Sequence, residues 1–229
     1  LLRAVIVEVV FGGGGAVLPL ARELHAHIGF DLIDTEFFYP DGPAAMRLSQ
    51  ALGIPFTIKA RGGDIHHWGT QAGCAPQVLE AADKAAGLLA VSSALKADMV
   101  ALGMDAGKIR VHYTGLDQSR FLPRDRAVEK AKLGISGPLI LSVGALIPRK
   151  GQDLLIAALP ALPDAMLMLA GKGESESVFR ALATELGVAD RVAFLGSVPH
   201  DDLPALFAAA DVMALVSASE GLANAWVEA

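Results

Sequence analysis

Thiols and net positive charge are both scarce in this chain of 229 residues. Its single cysteine, Cys74, excludes an internal disulfide framework and any thiolate-rich metal site, and it suits a reducing, cytoplasmic compartment. Nineteen Lys and Arg stand against 25 Asp and Glu, a formal charge of −6. That is the wrong sign for a surface that neutralises phosphates along DNA or RNA. Charged residues make up only 19% while apolar residues make up 53%, which excludes a disordered chain and supplies a sizeable core. Long apolar runs are lacking too. Arg3, Glu8 and the glycines at 12–15 interrupt the apolar start, so neither the roughly 20-residue stretch of a membrane span nor a signal peptide with its cleavage site is expected there. No basic amphipathic helix stands out that would hold the chain on an anionic membrane. The 24 Gly and 12 Pro follow no period, which excludes a collagen-like chain, and no internal repeat is found.

What is present is alternation. Short apolar runs at residues 4–10, 30–35, 55–60, 87–91, 108–112, 139–143, 165–170, 191–195 and 211–216 predict strands. Between them, helical spacing predicts helices at 16–27, 43–52, 75–86, 93–102, 127–133, 152–161, 175–186 and 203–210. The strand runs, such as Met-Leu-Met-Leu-Ala, are apolar throughout, as in strands of parallel sheets covered on both faces. The class expected is α/β, with doubly wound parallel sheets. Residues 115–138 form the most charged stretch and break the rhythm, so two Rossmann-like domains are expected, at 1–120 and 121–229. The chain opens without Met and stops inside a helical run with no Gly or Pro stop signal, so an incomplete chain is expected, with both domains truncated.

In open α/β sheets ligands bind beyond the carboxyl ends of strands, so the strand-to-helix loops are the places to search. After the strand at 139–143 come Gly144, then Arg149 and Lys150 just before a helix. Arg can clamp a phosphate with two bonds and Lys can supply a point charge, although a solvated basic turn accounts for the pair equally well. After the strand at 211–216 come Glu220, Gly221, Leu222, Ala223 and Asn224, a small-residue turn that can approach a diphosphate, with Glu228 about 9 Å further along a helix that starts near Leu222. Two carboxylates so placed can bind different parts of one ligand, or be plain surface charges. Gly196, Ser197 and Val198 form a short neutral loop that can border a flat base or simply turn. The loop at 171–174, Gly-Lys-Gly-Glu, is glycine-rich and ambiguous. In the first half, Arg61 and Asp64 flank two glycines at a strand end.

Other chemistries fall away. The pattern Gly12-x-Gly14-x-x-Val17 lacks the third glycine of a dinucleotide fingerprint, which leaves an oxidoreductase as the weakest reading. No Asp-x-Asp pair, Gly-x-Ser-x-Gly elbow or Walker loop occurs, and the paired histidines have no cysteine partner, so no metal site is expected.

Taken together the motifs resemble those of the family 4 retaining glycosyltransferases of GT-B fold. EGLANAWVE, Glu220 to Glu228, is similar to that family's pair of glutamates with seven residues between them. The stretches 143–159, 167–174, 191–211, 91–123 and 60–65 match in order and spacing, so the resemblance covers roughly residues 30–229. It implies two Rossmann-like domains facing a cleft, with a nucleoside-diphosphate sugar held by the C-terminal one. It implies transfer to a hydroxyl acceptor (a glycan, lipid or small molecule, as in polysaccharide biosynthesis) with retention, and with neither metal nor cofactor. By matching position, Lys150 binds the donor diphosphate with Arg149 as helper, and Glu220 contacts the transferred sugar. Glu228 holds ribose hydroxyls, the backbone of Gly221, Leu222, Ala223 and Asn224 assists with the phosphates, and Gly196, Ser197 and Val198 border the base. Asp64 and Arg61 face the cleft from the acceptor side. Peripheral membrane contact is common in the family.

Three positions depart from the family pattern. Ala145 stands where an Arg is usual, Arg61 where a His is usual, and Thr114 where an Asn precedes the inter-domain glycine. These departures, with the incomplete ends, motivate the competing expectation of a non-catalytic nucleotide- or glycan-binding module.

Overall fold

The alternation is realised as two separate parallel sheets in the computed structural model, which describes residues 3–7 and 17–229. The glycines at 12–15, the end of the first expected strand (8–10) and the first residue of the expected helix at 16 lie outside the described residues. The chain divides into two compact units, Leu1–Thr114 with Glu220–Leu222, and Gly115–Ser219 with Ala223–Ala229. The division falls at 114/115, where the sequence places it at 120/121.

The first unit carries β1 (Ala4–Val7), α1 (Leu18–Ile28), β2 (Leu32–Glu36), α2 (Asp41–Leu52), β3 (Phe56–Ala60), α3 (Gly63–His66), α4 (Ala75–Lys84), β4 (Gly87–Ala90), α5 (Ser93–Ala101) and β5 (Ile109–Val111). Its strands lie side by side in chain order, all parallel, the order that one flank of a doubly wound sheet presents. Ile33, Ile58, Leu88 and Ile109, one from each of β2 to β5, are fully buried in one core. Withdrawing each such side chain from water contributes roughly 1.5–3 kcal/mol. Pro43 sits in the first turn of α2, where a missing N–H costs nothing because no intrahelical partner exists there. Ser92 caps α5, its Oγ accepting from the Leu95 N–H at 3.1 Å.

The second unit carries α6 (Arg126–Lys132), β6 (Leu139–Val143), α7 (Gln152–Ala158), β7 (Met166–Ala170), α8 (Glu176–Glu185), β8 (Val192–Gly196), α9 (Leu203–Ala209), β9 (Val212–Met213) and α10 (Asn224–Glu228). The sheet order is β8-β7-β6-β9, again all parallel. Here both faces are covered, and β7 shows how. Leu167 and Leu169 join a core with Ile156 of α7 and Phe179 of α8, while Met168 and Ala170 join another with Leu203, Leu206 and Ala209 of α9. A strand packed on two sides has no polar face to display, hence its unbroken apolar sequence.

The charges of the 115–138 stretch are put to structural use. Asp125 caps α6 by accepting from the Val128 N–H, and the Asp211 carboxylate accepts from Lys130 Nζ and from the Leu139 N–H at 2.7 Å. The Lys130 bond, followed by the Leu139 one, holds the Asp211 carboxyl below its usual range and ties α6 to the sheet. Among the described residues no helix is long and apolar enough to cross a membrane.

Candidate functional site

The order of the second sheet locates its ligand site. Running from β6, the chain first moves outward to β7 and β8, then returns to the other side of β6 as β9. At such a reversal the loops leaving the two central strands diverge to opposite faces and open a crevice at their carboxyl ends. The loops concerned are residues 144–151 after β6 and the stretch that follows β9, which are the two singled out from the sequence.

These loops are fastened to one another. Arg149 accepts at its carbonyl from the Ala218 N–H at 2.9 Å, and its guanidinium Nη1 donates to the Ser219 carbonyl at 2.8 Å. Gly151 has φ 69°, and a Cβ there would lie 2.5 Å from the Val216 carbonyl oxygen, so only glycine permits this approach. Arg149 is thus a strap across the crevice floor. Half-buried Lys150 reaches back over the end of β6, its Cε 4.0 Å from where a Cβ on Gly144 would stand. Buried Gln152 donates from Nε2 to the Ala145 carbonyl at 3.0 Å. Its Oε1, together with Ser142 Oγ and Ser217 Oγ, is buried with no partner among the described residues. Buried acceptors without partners mark places where a ligand or water completes the structure.

The helix carrying the second glutamate differs from expectation. α10 begins at Asn224, not near Leu222. The strand before it also ends early. Ladder pairing of β9 stops at Met213, although the Ala214 N–H still donates to the Leu141 carbonyl at 2.8 Å.

Glu228, mostly buried, lies beside a histidine that no sequence motif singles out. His200 Nε2 is 3.0 Å from Glu228 Oε1, and Arg120 Nη1 is 2.6 Å from His200 Nδ1. Glu228 also borders a cavity of about 340 Å³ lined by Phe121, Arg124, Arg126 and Phe207, on the α6–α9 side of the sheet. Gly196 closes β8 and accepts at its carbonyl from the Gly171 N–H at 2.7 Å; Ser197 beyond it is exposed and Val198 packs on the α9 core. Lys172, from the ambiguous glycine loop, brings its Cε to 3.6 Å from the Cβ position of Gly196.

Glu220, Gly221 and Leu222 cluster with the first unit. Glu220 is half-buried, Leu222 packs on that unit's core, and Ser92 Oγ donates to the Gly221 carbonyl at 2.9 Å while it caps α5. Ala223 precedes α10 and Asn224, its first residue, is exposed.

The expectation for Asp64 requires correction. Its side chain is fully buried rather than turned to an acceptor. One carboxylate oxygen accepts from the N–H groups of Arg61 at 3.0 Å and Gly62 at 2.8 Å, and the other from Phe38 N–H at 3.0 Å. Burial pushes the Asp64 carboxyl above its ordinary value, against the pull of these three bonds. Its work is to join the β2–α2 and β3–α3 turns. Asp64→Ala leaves three buried N–H groups without an acceptor and is expected to cost about 3 kcal/mol. Asp64→Asn keeps an acceptor for Arg61 and Gly62 but turns an NH₂ toward Phe38, and is expected to cost less. Equal unfolding midpoints in denaturant for Asp64→Ala and the parent would refute the assignment. The sign for pH follows from the raised carboxyl: the folded state holds this proton to higher pH than the unfolded chain does. The penalty from Asp64 therefore disappears as pH falls from the folded toward the unfolded value.

Arg61 remains at the surface of the first unit. Its Nε is 3.2 Å from Glu36 Oε2, and Lys59 Nζ is 3.7 Å from Glu36 Oε1, so two cations share one carboxylate at the carboxyl ends of β2 and β3. Among the described residues no group of three His, Cys, Asp or Glu side chains comes together as metal ligands.

Comparison with known proteins bears on the family and the fold. The family described as Glycosyltransferase Family 4 matches residues 11–120, and that described as Glycosyl transferases group 1 matches residues 125–229. A D-inositol 3-phosphate glycosyltransferase of Mycobacterium sp. (strain KMS) is 37% identical over 163 residues, 67% of this chain and 36% of the relative. A GDP-mannose-dependent monoacylated alpha-(1-6)-phosphatidylinositol monomannoside mannosyltransferase of Corynebacterium glutamicum is 40% identical over 117 residues, 47% of this chain and 30% of the relative. These matches span about a third of the length of those relatives. Among solved structures, Anabaena HepE in complex with UDP and glucose superposes with a TM-score of 0.80 at 26% identity, covering 96% of this chain and 62% of that one. Sucrose-phosphate synthase from Thermosynechococcus elongatus, at 23% identity and a TM-score of 0.80 over 93% of this chain and 58% of that one, shares the fold.

Proposed function

The chain belongs to the family 4 glycosyltransferases, and we propose that it moves a sugar from a nucleoside-diphosphate sugar to a hydroxyl acceptor, with retention and without a metal ion. The observation that carries the proposal is Lys150 at the carboxyl end of β6, at the sheet's reversal point, on a loop strapped to the one that follows β9. Lys150 balances the donor diphosphate and the charge that grows on it as the glycosidic bond breaks. Arg149 acts through the loop it fastens. Glu228 holds the ribose, Gly196, Ser197 and Val198 border the base, and Glu220 meets the transferred sugar. The backbone of Gly221, Leu222, Ala223 and Asn224 lies along the phosphates. The acceptor oxygen attacks the anomeric carbon from the side the diphosphate leaves, and its proton passes to the leaving phosphate oxygen. The nucleotide sugar is a substrate, so no cofactor is invoked.

The acceptor side is assigned to the first unit. Arg61 and Lys59 against the single Glu36 suit an acceptor that carries an anionic group beside its hydroxyls. By name, the Mycobacterium relative is a D-inositol 3-phosphate glycosyltransferase and the Corynebacterium relative a phosphatidylinositol monomannoside mannosyltransferase.

The test is a thermal-shift titration with UDP, GDP and ADP and their glucose, mannose and galactose derivatives, with and without magnesium, followed by transfer assays with inositol phosphates. A ligand at one hundred times its dissociation constant stabilises a folded protein by about 2.7 kcal/mol. A shift with one nucleotide, equal in chelator, is expected, and the anomeric configuration of the product is expected to match that of the donor. A transition that no nucleotide moves overturns the donor assignment. Binding with no transfer to any acceptor favours the non-catalytic module that Ala145 and Arg61 motivate.

A further inference from the structure

We propose that His200 is a positioning residue for the donor: it holds the Glu228 carboxylate in the orientation that receives the ribose hydroxyls. This rests on the reading of Glu228 as the ribose ligand.

Hydrogen-bond chemistry fixes the state of the imidazole. Arg120 has only N–H groups to offer, and its Nη1 lies 2.6 Å from His200 Nδ1. Nδ1 must then present its lone pair, which puts the ring proton on Nε2, where it is donated to Glu228 Oε1 at 3.0 Å. The ring is held by an edge contact with Phe121, centroids 5.3 Å apart, and Arg120 is itself anchored by Asp201 at 3.4 Å. Three separate pieces of chain, the connector before α6, the β8–α9 loop and the end of α10, meet at this one imidazole.

The consequence for Glu228 is directional. The last torsion of a glutamate side chain is soft, so an untethered carboxylate samples a broad range of rotations. A donor fixed on Oε1 stops that rotation and leaves Oε2 with a set lone-pair direction. A carboxylate held this way presents Oε2 for charge-assisted bonds to ribose hydroxyls.

The experiment measures binding of GDP and UDP, each beside its 2′-deoxy counterpart, and of inorganic pyrophosphate, to the parent and to His200→Ala, His200→Gln, Glu228→Gln and the His200→Ala/Glu228→Gln double variant. His200→Ala is expected to weaken the nucleotide that binds about tenfold, the scale of one truncated hydrogen bond to a charged group. Preference for the ribo over the deoxy form should shrink by the same factor, while pyrophosphate binding holds. His200→Gln should restore the preference, because its amide N–H reaches the place of Nε2–H. In the Glu228→Gln background His200→Ala should add nothing. If His200→Ala keeps the parent's ribo preference while Glu228→Gln has lost it, the proposal is overturned and the role of Glu228 stands. If Glu228→Gln also keeps the preference, the ribose reading itself is overturned and the proposal with it. A loss shared equally by pyrophosphate and nucleotides makes His200 merely structural. Should His200→Ala fail to fold, His200→Asn, which reaches the Nδ1 position but not Nε2, gives the same comparison.

Discussion

Lys150→Ala is expected to lower kcat/KM for the nucleotide sugar by about 100- to 1,000-fold, the range seen when one preorganised group facing a developing negative charge is removed. The magnitude follows from how few other groups can take its place. Ala145 brings no charge to the β6 loop. The Arg149 guanidinium donates to the Ser219 carbonyl, and moving it onto a phosphate would release the strap between the loops. Lys172 reaches toward Gly196, at the end of β8 rather than of β6. Because the charge on the leaving diphosphate grows toward the transition state, the loss should fall more on kcat than on KM. Lys150→Arg should recover part of it, since the charge is kept but the planar fork does not reproduce a point charge. Steady-state kinetics with the donor found in the titration decide the matter, and a Lys150→Ala rate within about threefold of the parent would refute the assignment.

The fold was largely legible because parallel strands covered on both faces betray themselves as unbroken apolar runs, and Met166–Ala170 is the plainest case. What escaped depends on tertiary contact. The one-turn helix Gly63–His66 follows a Gly62 at φ 122° and a carboxylate that gathers three N–H groups from two turns. A sequence reading has no means of knowing that this carboxylate faces inward, which is why Asp64 looked like a cleft residue. The start of α10 moved from Leu222 to Asn224 because residues 220–222 cluster with the other unit, Gly221 held there by Ser92. In the candidate site, Lys150 was visible as a cation between a strand, a glycine and a helix, a local pattern. His200 was not, since its partners stand 28 and 80 residues away and its own loop, Ser-Val-Pro-His, carries no other signal.

Gly171→Ala is expected to be the most damaging single-methyl change in the second unit. Gly171 follows β7 directly and lies between Gly144, which follows β6, and Gly196, the last residue of β8, and its N–H donates to the Gly196 carbonyl at 2.7 Å. A Cβ on it would lie 1.9 Å from the Gly144 carbonyl oxygen and 2.8 Å from the carbonyl carbon, and φ is 150°, a region L side chains rarely enter. The obstacle is backbone at the carboxyl ends of paired strands, so no rotamer change relieves it. Either the β6 and β7 ends separate, or the Gly171–Gly196 bond breaks. Gly134 supplies the control. It too has a positive φ, 69°, but nothing lies within 4 Å of its added Cβ. Gly134→Ala should therefore cost only the backbone strain, roughly 1 kcal/mol. Gly171→Ala adds overpacking against rigid atoms and should cost about 3 kcal/mol or more, a fall in Tm of at least about 12 °C for a unit of this size. The same opening would displace Lys150 from the end of β6, so nucleotide binding should weaken in Gly171→Ala and hold in Gly134→Ala. Equal midpoints for the two variants would mean that the β6 and β7 loops are not locked together as described.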